Sequence, residues 1–218
     1  MIKIETALQQ YDARKGKGSD YKSVKVDSIT SLLLELANSD IPLALRRKTP
    51  ETNSFIDLFR EVIHNETTFV RNKNGELFRK VTKAVIDVVH RDEDGNQIRL
   101  FEELFDGTNW VRRNQEPTET PGLKEKAIFG EMPIQTAVRG LEEEMGISYL
   151  DEDDFLGLVE LPESSKSEQI KVSDGYPGLN TIYGFNFFIF ELPNRFYKPE
   201  YYFNEGKRRM RLKWEKIE

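Results

Sequence analysis

The rhythm of apolar and polar positions changes near residue 66. Ahead of it, Ile29, Leu32, Leu33 and Leu36 recur at i, i+3, i+4 and i+7 behind Asp27 or Ser28 as N-cap, which predicts a helix. Residues 38–42 stop it. A second helix is predicted over residues 53–64, with Phe55, Leu58, Phe59 and Val62 on one face. After residue 66 the pattern becomes that of strands. Asn74-Gly75, Asp94-Gly95 and Asp106-Gly107 are tight-turn pairs flanked by β-prone runs, and Ala84-Val85-Ile86-Asp87-Val88-Val89 is the strongest strand among them. Residues 113–123 form a polar, proline-bearing loop, after which a helical period returns. Residues 155–161 then read as a strand and 162–180 as a surface loop. Residues 182–192 read as a central strand, apolar on both faces. Near the end Met210, Leu212 and Trp214 alternate with Arg209, Arg211 and Lys213, the mark of a half-buried strand with a basic outer face. The expected architecture is mixed α/β, of the α+β kind: a sheet with one long helix packed on it over residues 66–218. A helical extension, residues 1–65, precedes it, with Arg14-Lys15-Gly16-Lys17-Gly18 as a mobile lead-in.

Composition narrows the chemistry. The chain has 218 residues, 38% hydrophobic and 32% charged, enough to bury a sizeable core under a polar surface. Cysteine is absent, which excludes disulfides, thiolate zinc sites, iron–sulfur clusters and a cysteine nucleophile. No apolar run reaches membrane-spanning length and residues 1–20 are polar, so a cytoplasmic protein without a membrane partner is expected. A net charge of −6 argues against a general nucleic-acid binder. His64 and His90 have no second ligand beside them and are expected to be structural. No phosphate-cradling glycine loop and no G-x-S-x-G elbow is present.

Residues 130–147 read G-E-M-P-I-Q-T-A-V-R-G-L-E-E-E-M-G-I. Pro133 suits a first helical turn and Gly146 a C-cap. Ile134, Ala137, Val138, Leu141 and Met145 form one apolar stripe, and at about 100° per residue Gly140, Glu143 and Glu144 fall on the other side. Hard oxygen ligands such as these select Mg²⁺ or Mn²⁺.

This segment resembles the Nudix box, G-x5-E-x7-R-E-U-x-E-E-x-G-U, where U is bulky and aliphatic. Glu131 matches the isolated Glu and Arg139 follows it at the required spacing; Leu141, Glu143, Glu144, Gly146 and Ile147 match the rest. The departures are Glu125 where the first Gly belongs and Gly140 where the Glu after Arg belongs. The resemblance implies that Glu143 and Glu144 are metal ligands and catalytic, with Glu131 assisting at the metal through water. Arg139 and Gly146 would be structural. It leaves the general base open, and Glu205 is the first candidate, ahead of Glu160 and Glu191.

The implied activity is a divalent-metal-dependent hydrolase that cleaves the pyrophosphate of a nucleoside diphosphate linked to another moiety. The alternative is a catalytically impaired Nudix-fold protein that binds nucleotide or regulates, which Gly140 favours. The basic set Lys207, Arg208, Arg209, Arg211 and Lys213 reads first as a solvated strand face. Its second reading is a phosphate clamp, joined by Arg46-Arg47-Lys48, for a nucleoside diphosphate or an RNA 5′ end, the one nucleic-acid partner compatible with the charge. Residues 162–180 and the N-terminal helices would select the substrate, and those helices could also pair two copies as a homodimer.

Overall fold

The computed structural model describes residues 21–41, 52–112, 122–162, 167–173, 175–205 and 208–216. The lead-in glycine-lysine stretch, Arg46-Arg47-Lys48 and most of the 113–123 loop lie outside them.

Two of the described helices begin as their sequences dictate. Ser28 caps α1 (Ile29–Ala37) by accepting from the Ser31 N–H, and Ser54 caps α2 (Phe55–Ile63) by accepting from the Asp57 N–H. Each buries a narrow stripe: Leu32 and Leu36 from α1, Phe55 and Leu58 from α2. They share a core with Phe69, Leu77, Tyr176 and Leu179. The N-terminal segment is therefore sealed to the sheet, and it also contributes a strand that its sequence did not announce, β1 (Tyr21–Val24), which pairs with β2 (Thr68–Asn72).

The sheet is organised by its longest strand, β3 (Leu77–Arg91), whose valines, isoleucine and alanine bury both faces. Antiparallel neighbours along it are β2, β4 (Gln97–Phe105) and β6 (Leu123–Lys126), while β9 (Asn180–Glu191) runs parallel to it. On the far edge of β9 lie β7 (Leu158–Glu160) and β8 (Ser167–Val172), and β4 carries the short β5 (Trp110–Arg112). Beyond β4 come β11 (Arg208–Lys216) and β10 (Glu200–Glu205). Gly75, Gly95 and Gly107 take the positive φ that the turn pairs predict. The mixed α+β expectation holds in these terms, with the helix α3 (Pro133–Met145) laid on the sheet over Ala84, Ile86, Leu123, Phe188, Tyr201 and Leu212.

Three local expectations are corrected. Residues 155–161 are not one strand: Asp151 caps a short helix, α4 (Glu152–Leu156), before β7 begins. Three acids in its first turn favour that helix and outweigh the β-like run after it. The 162–180 segment is not all loop, because Ser167–Val172 pairs along β9 and Tyr176 and Leu179 are buried. Leu123, taken as the end of a polar loop, instead opens β6. Among the described residues no helix is long and apolar enough to cross a membrane.

Candidate active site

The loop between β6 and α3 is fixed before any chemistry is considered. Ala127 N–H donates to Thr82 O (2.9 Å) and Phe129 N–H to Asn65 O (2.7 Å), which ties the loop to β3 and to the exit of α2. Pro133 opens the helix, and the Gln135 side chain reaches back to the Met132 N–H (2.8 Å). Gly146 ends it in the left-handed conformation at φ 70°. The motif thus folds as strand, braced loop and helix.

Arg139 is the hub. Its Nη2 donates to Lys126 O (2.5 Å) and Glu131 Oε2 (3.1 Å), its Nε to Glu131 Oε1 (3.1 Å), and its Nη1 to Glu125 Oε1 (2.7 Å) and Glu143 Oε1 (3.3 Å). These bonds tie the end of β6, the loop and the helix together. Glu131 also accepts from the Ile128 N–H and the Thr136 hydroxyl, both at 2.9 Å, so each of its oxygens is already engaged. Burial works against ionisation of Glu131, but Arg139 and the Ile128 N–H outweigh it and hold the carboxyl below its ordinary range. Glu125 behaves in the opposite way: burial dominates over the Arg139 bond and its carboxyl is raised. The guanidinium itself is pulled down by burial and pushed further up by Glu131 and Glu125.

Gly140 does not lie where helical counting alone put it. It is buried against the sheet with Thr136, Ala137, Leu141 and Met145. A Cβ there would meet Glu125 Cβ at 2.9 Å, Ile86 Cδ1 at 3.3 Å and Glu125 Cγ at 3.5 Å. Close packing within the chain therefore explains the glycine. Glu143 remains 56% exposed, and Glu144 is half-buried on the turn beside it.

The other expected residues are dispersed. Glu205 ends β10, the strand whose Tyr201 and Phe203 join the core under α3, and pairs in register with Arg208; its side chain lies outside the description. Glu191 ends β9 and faces Arg91 (3.6 Å), and Glu160 pairs in register with Phe188. Leu212 joins the core under the helix and Met210 is buried two residues before it on the same strand, so Arg209, Arg211 and Lys213 lie on the reverse face of the sheet. Arg211 is there paired with Glu103 and Glu200 and stacked on Trp110 at 4.7 Å. Arg209, Arg211 and Lys213 are thus turned away from Glu143 and Glu144, and Lys207 of the same set lies outside the described residues. His90 is buried, with Nδ1 2.9 Å from Leu192 O and its ring stacked on Tyr197 at 4.5 Å, in keeping with a structural role.

Whether a metal fits is decided by the donor set. Among the described residues no three acidic or histidine side chains are gathered as a ready cage. Magnesium does not need one, because it commonly takes one or two carboxylates and completes its shell with water and substrate phosphate. The cluster around Arg139 offers oxygen donors alone, and three carboxylates there share one guanidinium. That composition fits a hard divalent cation.

Sequence reasoning passed over two residues of this assembly. Glu125 was visible only as a departure from the motif, and Lys126 as its neighbour. The available signal was that the motif's departures come as a complementary couple, a carboxylate gained at one position and lost at the other.

No protein-family model matches the chain and no curated protein matches it. Among solved structures it is similar to the Ap4A hydrolase of C. elegans, at 16% identity over 62% of this chain and 78% of that one, with a TM-score of 0.29. It is similar also to RenU, a Nudix hydrolase from M. smegmatis, at 15% identity over 68% of this chain and 79% of that one, again with a TM-score of 0.29. At that TM-score the likeness carries no weight for activity.

Proposed function

We propose that the protein is a Nudix-type hydrolase that uses Mg²⁺ or Mn²⁺ to cleave the pyrophosphate of a nucleoside diphosphate linked to another moiety. One observation carries this reading: Arg139 gathers Glu131, Glu125, Glu143 and the Lys126 carbonyl, bracing a strand–loop–helix unit with Glu143 and Glu144 on the partly open flank of its helix. Glu143 and Glu144 would hold the ion, which supplies charge neutralisation on the phosphates and an activated water. Glu131 acts through the loop and Arg139 that it positions, with its Oε1, which accepts from Arg139 Nε, able to assist at the metal through water. Glu205 is proposed as the proton acceptor, from its place on the strand packed under the helix.

A panel of nucleoside-diphosphate compounds and dinucleotides, assayed for phosphate or nucleotide release with Mg²⁺ or Mn²⁺, tests the reading. Glu144→Gln should lower turnover by about 10²-fold or more, with Glu205→Gln next. No turnover of any compound by the wild type, joined to nucleotide-induced thermal stabilisation, would instead establish the second reading, a nucleotide-binding protein. Gly140 is the observation in its favour.

A further inference from the structure

We propose that positions 125 and 140 are a reciprocal pair, in which Glu125 supplies from the strand the carboxylate that the helix lacks at Gly140. This rests on the reading of the helix flank as a metal site. The motif has glycine first and glutamate second; this chain has glutamate first and glycine second. The two positions meet in space. With 2.9 Å between the Glu125 Cβ and the place of a Cβ on residue 140, only one of them can carry a side chain of any size.

Where the Glu125 carboxylate ends is what gives the exchange chemical meaning. Glu125 pairs with Ala84 and shares its face of the sheet with Leu123 and Ile86, beneath the helix. From there Oε1 reaches Arg139 Nη1, the same nitrogen that donates to Glu143 Oε1. A strand carboxylate and a helix carboxylate thus share one guanidinium nitrogen, with Glu144 next along the helix. The Glu125 side chain is only 17% exposed against 56% for Glu143, so the strand provides the inner donor and the helix the outer one. An ion held by Glu143 and Glu144 would have Glu125 as its further donor from the strand.

The test uses the full chain and Mn²⁺ alone, with the free ion followed by its electron paramagnetic resonance signal and folding followed by thermal melts. Glu125→Gln keeps the shape of the side chain and should weaken Mn²⁺ binding by about tenfold or more. Gly140→Glu should lower Tm by roughly 4–8 °C through overpacking. In the double variant Glu125→Gly/Gly140→Glu the contact is relieved and the carboxylate returns to the helix, so Tm should recover and Mn²⁺ affinity should come back to within about threefold of wild type.

Retained Mn²⁺ affinity in Glu125→Gln, with affinity lost in Glu144→Gln, would overturn the proposal while leaving the metal site standing. Simple additivity of Glu125→Gly and Gly140→Glu, each measured alone, in the Tm of the double variant would overturn it as well. Absence of Mn²⁺ binding by the wild type would remove the metal site and the proposal together.

Discussion

Two clusters in this molecule are built from the same parts, a carboxylate and a guanidinium, and they end differently. Glu61 on α2 is buried and fully engaged: Oε2 accepts from Arg79 and from Thr67 Oγ1 (2.9 Å), and Oε1 from Lys126 Nζ (2.7 Å) and the Tyr176 hydroxyl (3.2 Å). Two cations and two hydroxyls serve it. Around Arg139 the ratio is inverted, with one cation serving Glu125, Glu131 and Glu143. The protonation behaviour follows. Burial is the largest influence on both Glu61 and Glu125, but Arg79 and Lys126 overcome it at Glu61, whose carboxyl is lowered, while one shared arginine does not at Glu125, whose carboxyl is raised. Two cations let a buried carboxyl ionise, whereas a share in one leaves it inclined to keep its proton.

The clusters are joined by two adjacent residues. On β6 the Lys126 ammonium reaches Glu61, the Glu125 carboxylate reaches Arg139, and the Lys126 carbonyl accepts from Arg139 as well. A strand of four residues therefore connects the N-terminal helices to the motif loop.

The largest expected effect comes from breaking the satisfied cluster. Arg79→Leu leaves Glu61 buried with Lys126 as its one cation and should cost about 3–5 kcal/mol, read from urea unfolding. Arg139→Leu should cost less, because its carboxylates are closer to water and regain hydration. Equal losses would mean that the two clusters do not differ in the way drawn here.

Much of this architecture was legible in the chain, and the failures are instructive. Ser28 announces α1, the apolar stripe of Phe55, Leu58 and Val62 gives α2, and Pro133 and Gly146 frame α3, because periods, caps and breakers are local chemistry. The alternation of Met210, Leu212 and Trp214 likewise gives β11. By contrast β6 reads Leu-Lys-Glu-Lys, too short and too charged to show a period; its pairing with β3 is a tertiary fact. Gly122, before it, holds φ 131° with no room for a Cβ beside the Ile86 carbonyl, which permits that approach. The cluster around Arg139 was legible only in part. Arg139, Glu143 and Glu144 stand out by spacing, but helical counting placed Gly140 on the open face because it cannot see Glu125 from another element. Burial of Glu61 was not legible at all, since a charge is buried only when its partners arrive from elsewhere in the fold.

A smaller effect sharpens the packing at Gly140. Alanine is better than glycine inside a helix by about 1 kcal/mol, yet the added Cβ would press on Glu125 and Ile86, an overpacking worth about 1–3 kcal/mol. Gly140→Ala should therefore destabilise by roughly 1 kcal/mol net, while Glu142→Ala, on the exposed side, should change little. In a Glu125→Gly background the sign should reverse, because the atom in closest contact has gone. Gly140→Ala melting above the wild type in the native background would show that the helix and β6 are not interlocked.

The smallest effect bears most directly on the contrast between the clusters, since it separates Glu61 from Glu125 by sign. The folded carboxyl of Glu61 is lowered, so the stability it contributes is present above the unfolded value of 4.5 and is lost as pH falls below it. That of Glu125 is raised, so its contribution is complete below 4.5 and is lost as pH rises through and beyond that value. Thermal melts of Glu61→Gln and Glu125→Gln between about pH 3 and pH 7 should therefore diverge from the wild type in opposite directions. Glu61→Gln should flatten the acid loss of stability, and Glu125→Gln should gain on the wild type as pH rises. Millimolar Mn²⁺ should cancel the second difference and leave the first unchanged, because a cation that serves the carboxylates sharing Arg139 has nothing to relieve at Glu61. Cancellation of both, or of neither, would place the ion somewhere other than beside Glu125.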